Sequence, residues 1–159
     1  MKKLKSFLKT RFIIPLSHFL KQGLTAKKLS LTLALGITLG IIPFFGVNTM
    51  LLTVLSIVFR LNLIAIQIVN YGVYIFQIVL FIPFLKFGQL IFEGPRFPYE
   101  TQEIINMFKT DFFGTIIDIW HLNLLGLIIW LIVSIPCGIL IYYLSLPVFT
   151  RYADKFKLD

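Results

Sequence analysis

The stretch from Leu29 to Phe59 constrains this chain more than any other. It holds 31 consecutive residues without a charge, bounded by Lys28 and Arg60. One helical crossing of a bilayer takes about 20 residues, so two take about 40 before any turn. The stretch is too long for one simple crossing and too short for two. Gly40, Pro43, Gly46 and Asn48 break its middle. Two short helices meeting at Pro43-Phe44-Phe45-Gly46 would form a re-entrant hairpin, entering and leaving the membrane on one side. The other reading is one kinked transmembrane helix. A hairpin keeps Lys28 and Arg60 on the same face, whereas a crossing separates them. Non-helical backbone at membrane depth survives only where protein or a wet cavity surrounds it.

Composition excludes a soluble fold. Hydrophobic residues make up 58% and charged residues 14%, against about 45–50% and about 25% in globular chains. So few charges cannot cover so much apolar surface, and lipid removes the need. Residues 1–28 hold Lys2, Lys3, Lys5, Lys9, Arg11, Lys21, Lys27 and Lys28 and no acid, while the rest carries seven bases and seven acids. The whole net charge of +8 therefore precedes the first long apolar run. That pattern puts the N-terminus on the cytoplasmic side. Leu4, Phe7, Leu8, Phe12, Leu16, Phe19 and Leu20 recur near helical spacing. They predict a basic amphipathic helix in the headgroup plane, with Lys2, Lys3, Lys5, Lys9, Arg11, Lys27 and Lys28 touching the membrane surface. A basic arm can also bind nucleic acid, but no soluble body follows this one, and no nucleic-acid partner is expected.

The run from Leu61 to Leu85 has 25 uncharged residues, enough for one tilted crossing. Gly72 and Pro83 are its candidate bends, and a second broken or re-entrant element is the alternative. Residues 93–118 form an acidic segment, with a short amphipathic helix predicted over Thr101–Phe113 on the outer face. Ile119–Thr150 then reads as a long tilted or kinked helix returning to the cytoplasm. Trp120, Trp130, Tyr142 and Tyr143 are its candidate interfacial anchors, and Cys137 is expected as a small buried residue. The predicted fold is an all-α integral membrane protein with both termini cytoplasmic. Its parts are a basic amphipathic helix (1–28), a core of broken hairpin and transmembrane helix (29–92), the acidic segment (93–118), and a transmembrane helix with basic tail (119–159).

Little here suits catalysis. His18 and His121 stand far apart, no His/Cys cluster has metal-ligand spacing, and no Gly-rich phosphate loop occurs. No enzyme activity, metal or cofactor is expected. The sharper signal is carboxamides inside apolar runs, which are costly in hydrocarbon unless partnered. Gln67, Asn70 and Gln77 share a helical face that should point towards the Pro43–Asn48 turn. Pro43, Gly46, Asn48, Thr49, Arg60, Asn62, Gln67, Asn70, Tyr71 and Gln77 are the candidate lipid- or substrate-binding residues. Two readings stand. One is a polar pocket for a headgroup or carrier phosphate, with free backbone N–H groups at the turn and Arg60 as the charge. The other is helix–helix glue, in which the amides simply bond across an interface. Arg60 also reads as a snorkelling flank residue.

The runs Gly23-Leu24-Thr25, Ala34 through Gly40 to Thr49, and Arg60-Leu61-Asn62 carry a resemblance, as do Gln67-Ile68-Val69-Asn70-Tyr71 and Gln77 through Pro83 to Gly88. Over residues 20–92 the chain resembles the bacterial family Domain of Unknown Function 2062. It departs at Ala26 and Ile75, where that family commonly carries proline. The resemblance implies a small bacterial inner-membrane protein, of a family in which some members are fused to glycosyltransferase domains. The broken segment is also similar in design to the re-entrant loops of DedA-type lipid-carrier transporters. The expected function is therefore transport or handling of lipid or lipid-linked envelope intermediates. The expected partners are membrane lipids, including anionic or polyprenyl-phosphate lipids, and further copies of the chain. The alternative is a non-catalytic scaffold for a glycosyltransferase or acyltransferase.

Overall fold

The computed structural model describes residues 25–95 and 100–156. The predicted N-terminal amphipathic helix, with Lys2, Lys3, Lys5, Lys9 and Arg11, lies outside the described residues, as do Pro98 and Lys157. Six helices run through the described residues, and there is no strand among them. They are α1 (Ala26–Gly40), α2 (Val47–Val58), α3 (Leu63–Gly72), α4 (Tyr74–Phe92), α5 (Thr101–Thr110) and α6 (Phe112–Phe156).

Local chemistry sets most of the boundaries. The Thr25 hydroxyl caps α1 by accepting from the Lys28 N–H at 3.3 Å. Pro43 then excludes further helix and pushes Ile42 away from helical geometry. Gly46 precedes α2 at φ 86°, in the left-handed region. A Cβ there would meet nothing within 4 Å, so glycine answers the torsion and not the space. At the other end of α2 the Arg60 N–H bonds to Ile57 O (3.2 Å) and the Leu61 N–H to Ser56 O (2.7 Å). This is a Schellman ending, with Arg60 at φ 51° where glycine is usual. The Asn62 side chain caps α3 by accepting from the Ala65 N–H at 2.9 Å.

Helix α1 is the centre of the bundle, packing against α6, α3 and α2. Gly36 and Gly40 lie one turn apart on its α3 side. A Cβ on Gly36 would sit 2.7 Å from Val69 Cγ1, and one on Gly40 2.5 Å from Val73 Cγ2. Small residues at this spacing let two backbones approach closely, the usual device where lipid supplies no hydrophobic drive. Helices α4 and α6 meet in the same way, Gly88 against Leu125 and Gly126 against Leu85. A small apolar core of Ile42, Phe84, Ile129 and Trp130 joins the turn after α1 to both.

Three expectations need correction. The amphipathic helix ends at Thr110, not Phe113, because Asp111 caps the next one: its carboxylate accepts from the Gly114 N–H at 2.9 Å. Residues 112–118 therefore belong to the long helix α6 and not to a separate acidic segment. Trp130 is no interfacial anchor; it is 6% exposed, and its Nε1–H donates to Thr38 O at 2.9 Å. Cys137 is exposed, on an outer flank of α6. The second apolar run is the broken element of the alternative reading: Val73 interrupts it beside Gly72, whereas Pro83 lies inside continuous α4.

Candidate functional site

The hairpin α1–turn–α2 returns the chain to the end where it began. At its base the Lys28 ammonium donates to Arg60 O at 2.9 Å. That carbonyl belongs to the Schellman ending of α2, where helix carbonyls lack partners and the dipole is negative, so a cation is favoured there. At its tip, Pro43 is buried and Phe45 and Gly46 are exposed.

Five of the candidate residues come together behind the tip. Gln77, Asn70 and Asn48 are 0%, 1% and 4% exposed, the depth at which an unbonded amide is most expensive. The Gln77 Nε2–H donates to Ile42 O at 2.8 Å, which ties α4 to the carbonyl beside Pro43. The Asn48 Nδ2–H donates to Asn70 Oδ1 at 3.0 Å and reaches Gln77 Oε1 at 3.5 Å. The Asn70 Nδ2–H donates to Gln67 Oε1 at 3.0 Å and to Thr49 Oγ1 at 3.4 Å. Gln67 in turn donates to Thr49 O and Thr53 Oγ1, both at 3.2 Å. The network carries no ionisable group. Among the described residues no buried side-chain nitrogen or oxygen is left without a partner. The turn contributes the Ile42 carbonyl to it.

The remaining candidates stand elsewhere. Arg60 is exposed at the hairpin base. Asn62 spends its Oδ1 as the α3 cap. Tyr71 is 64% exposed, although its neighbour Asn70 is buried. Sequence reasoning overlooked Thr53, which lies one turn after Thr49 and so shares its face. It also overlooked the Gly36-x-x-x-Gly40 pair, although that spacing is a known signal of close helix packing.

A second feature lies on the other side of α1. A groove of about 500 Å³ runs between α1 and α6, from Leu31 and Tyr143 to Thr38 and Trp130. It is separate from the amide network and open at the surface.

Two helices, Tyr74–Phe92 and Phe112–Arg151, are long and apolar enough to cross a membrane, and only 22% of each apolar window is buried inside the protein. A soluble protein's core helix would be mostly covered. Here Met50, Ile57 and Leu90 are each more than 70% exposed, and lipid is the solvent that tolerates them. These features point to a helical, membrane-associated protein organised round a short hairpin. The chain belongs to the family described as Uncharacterized protein conserved in bacteria (DUF2062), whose family model matches residues 11–157. No curated protein and no solved structure matches it. Ala26 and Ile75, where the resemblance implies proline, are the first residue of α1 and a first-turn residue of α4. Helix starts accept proline because their N–H groups have no intrahelical partner, so either residue type serves there.

Proposed function

We propose that this chain is a multi-pass protein of the bacterial cytoplasmic membrane that handles lipid or lipid-linked intermediates of the cell envelope. In this reading α1–α2 is a re-entrant hairpin based on the cytoplasmic side, and both termini are cytoplasmic. The observation that carries it is the Lys28–Arg60 contact at 2.9 Å, which brings both charged flanks to one end. At 1.5 Å per residue α1 is about 22 Å long and α2 about 18 Å, against about 30 Å of hydrocarbon. The tip then ends inside the bilayer, where the amide network holds its broken backbone. The long helices α4 and α6 continue past it to the far side.

Two measurements test this. With Cys137 replaced, single cysteines at Lys28, Arg60 and Glu103 should label from the cytoplasm, the cytoplasm and the outside respectively. Labelling of the Arg60 position only from outside overturns the hairpin. Purified protein should bind polyprenyl phosphate or anionic lipid selectively, and Asn48→Leu and Asn70→Leu should weaken that selectivity. Absence of any lipid selectivity removes the functional reading.

The saturated network favours a second reading, because amides spent on one another act as glue. The protein would then hold a glycosyltransferase or acyltransferase at the membrane. Co-purification of such an enzyme, unchanged by the two Leu variants, is the result that would select this reading. Neither reading is enzymatic, since the network offers no acid or base.

A further inference from the structure

The wall of the α1–α6 groove is ordered along its length. Leu31 and Leu35 of α1 and Ile135 and Ile139 of α6 line it, and Tyr142 and Tyr143 stand at the end nearer the hairpin base. The polar atoms in the wall are spent on backbone carbonyls. Thr38 Oγ1 donates to Ala34 O at 2.7 Å, Ser134 Oγ to Leu131 O at 3.3 Å, and Trp130 Nε1 to Thr38 O at 2.9 Å. The middle of the groove therefore presents hydrocarbon and has no use for a polar ligand. The Tyr142 and Tyr143 rings meet edge to face at 5.3 Å. Phenols of this kind favour the headgroup level, with an apolar body and a wet tip.

A cation completes the series. Lys27, Leu31, Ala34 and Thr38 fall on one stripe of α1 at i, i+4, i+7 and i+11, and the last three line the groove. Lys27 is exposed, one turn beyond the groove's lower end. Its neighbour Lys28 is turned to Arg60 O, which leaves Lys27 as the charge on the groove's own stripe. Hydrocarbon, then phenols, then an ammonium is the order of groups met along a phospholipid from chain to phosphate.

We propose that this groove is a binding site for an anionic glycerophospholipid of the surrounding bilayer, one acyl chain against Leu31, Leu35, Ile135 and Ile139 and the phosphate at Lys27. The proposal deepens the lipid-handling reading and rests on it for the leaflet, which is the cytoplasmic one. It does not involve the amide network.

Trp130 lines the groove, and Trp120 is the chain's other tryptophan. The full chain carrying Trp120→Phe, in vesicles, therefore reports on the groove through Trp130 fluorescence. Chain-brominated phosphatidylglycerol should quench it more effectively than chain-brominated phosphatidylcholine at equal mole fraction. The expected preference is about fivefold, the pull of one interfacial lysine on anionic lipid, and it should shrink as salt rises. Lys27→Gln, a surface change that leaves the fold intact, should abolish the preference. Ile139→Phe, which narrows an exposed part of the groove, should reduce quenching by both lipids. Equal quenching by the two lipids in the parent overturns the proposal, as does an undiminished preference in Lys27→Gln. Cysteine labelling at Arg60 decides the hairpin separately, so a failure here and a failure of the topology are told apart.

Discussion

Helix α1 is gripped on two sides by different means. Towards α2 and α3 it has the Gly36–Gly40 pair pressed on Val69 and Val73, and the turn that follows it is fastened by amides from α2, α3 and α4. Towards α6 it has apolar packing, one buried indole bond from Trp130 to Thr38 O, and an open groove. In a bilayer apolar side chains gain little by leaving lipid, so close packing and hydrogen bonds decide which helices stay together. The α3 side is built to stay shut. The α6 side keeps an open apolar groove, which is where the lipid ligand proposed above would enter without breaking a polar bond.

Substitutions can break this contrast, beginning with the tightest contact. Gly40→Leu would drive a side chain into Val73 Cγ2 and the Asn70 amide, 2.5 Å and 3.2 Å from the new Cβ. Overpacking of this kind costs about 3 kcal/mol, and thermal unfolding in detergent should show loss of the folded form. Asn70→Leu should cost about 2 kcal/mol, because Asn48 loses its close partner while staying buried and half-buried Gln67 loses its donor. Replacing Asn48, Asn70 and Gln77 by Leu together should cost less per residue than the single change, since no buried amide of the three is left orphaned. Thermal unfolding of the series checks the order, and strict additivity would show that the amides do not act as one network.

On the other side the expected effects are smaller. Trp130→Phe removes the bond to Thr38 O and should cost about 1 kcal/mol, and a loss as large as that of Asn70→Leu would erase the distinction between the two sides. Asn62→Ala removes the α3 cap near the hairpin base, away from the network, again at about 1 kcal/mol. Arg60→Gly should be the smallest and of opposite sign. It relieves a left-handed residue at φ 51° and should stabilise by up to about 1 kcal/mol, while the Lys28 bond to the backbone carbonyl persists. Chemical denaturation in micelles resolves that sign.

Much of the hairpin was legible before any coordinates. Thirty-one uncharged residues with Pro43 and Gly46 at their centre predict two short helices, and α1 and α2 meet in that turn. Gln67, Asn70 and Gln77 could be placed on one face by spacing, although the chain breaks between them at Val73. What spacing could not show is where each polar group spends its bonds. Asn62 and Asn70 are the same residue type eight positions apart. One caps a helix through its own backbone neighbourhood, and the other joins α3 to α2. Asp111 was read as part of an acidic surface, yet it starts the longest helix.

By itself the sequence determined the solvent, the charged flanks and the break points, because apolar run length, Lys/Arg placement and Pro/Gly torsions act locally or through composition. Tertiary structure alone decided that the amides saturate one another, that Arg60 and Tyr71 stand apart from them, and that Trp130 turns inward to Thr38. Those outcomes depend on which helix faces which across gaps of up to 92 residues. In lipid that choice is made by close approach at glycines and by the partners left for each buried polar atom, neither of which a linear pattern records.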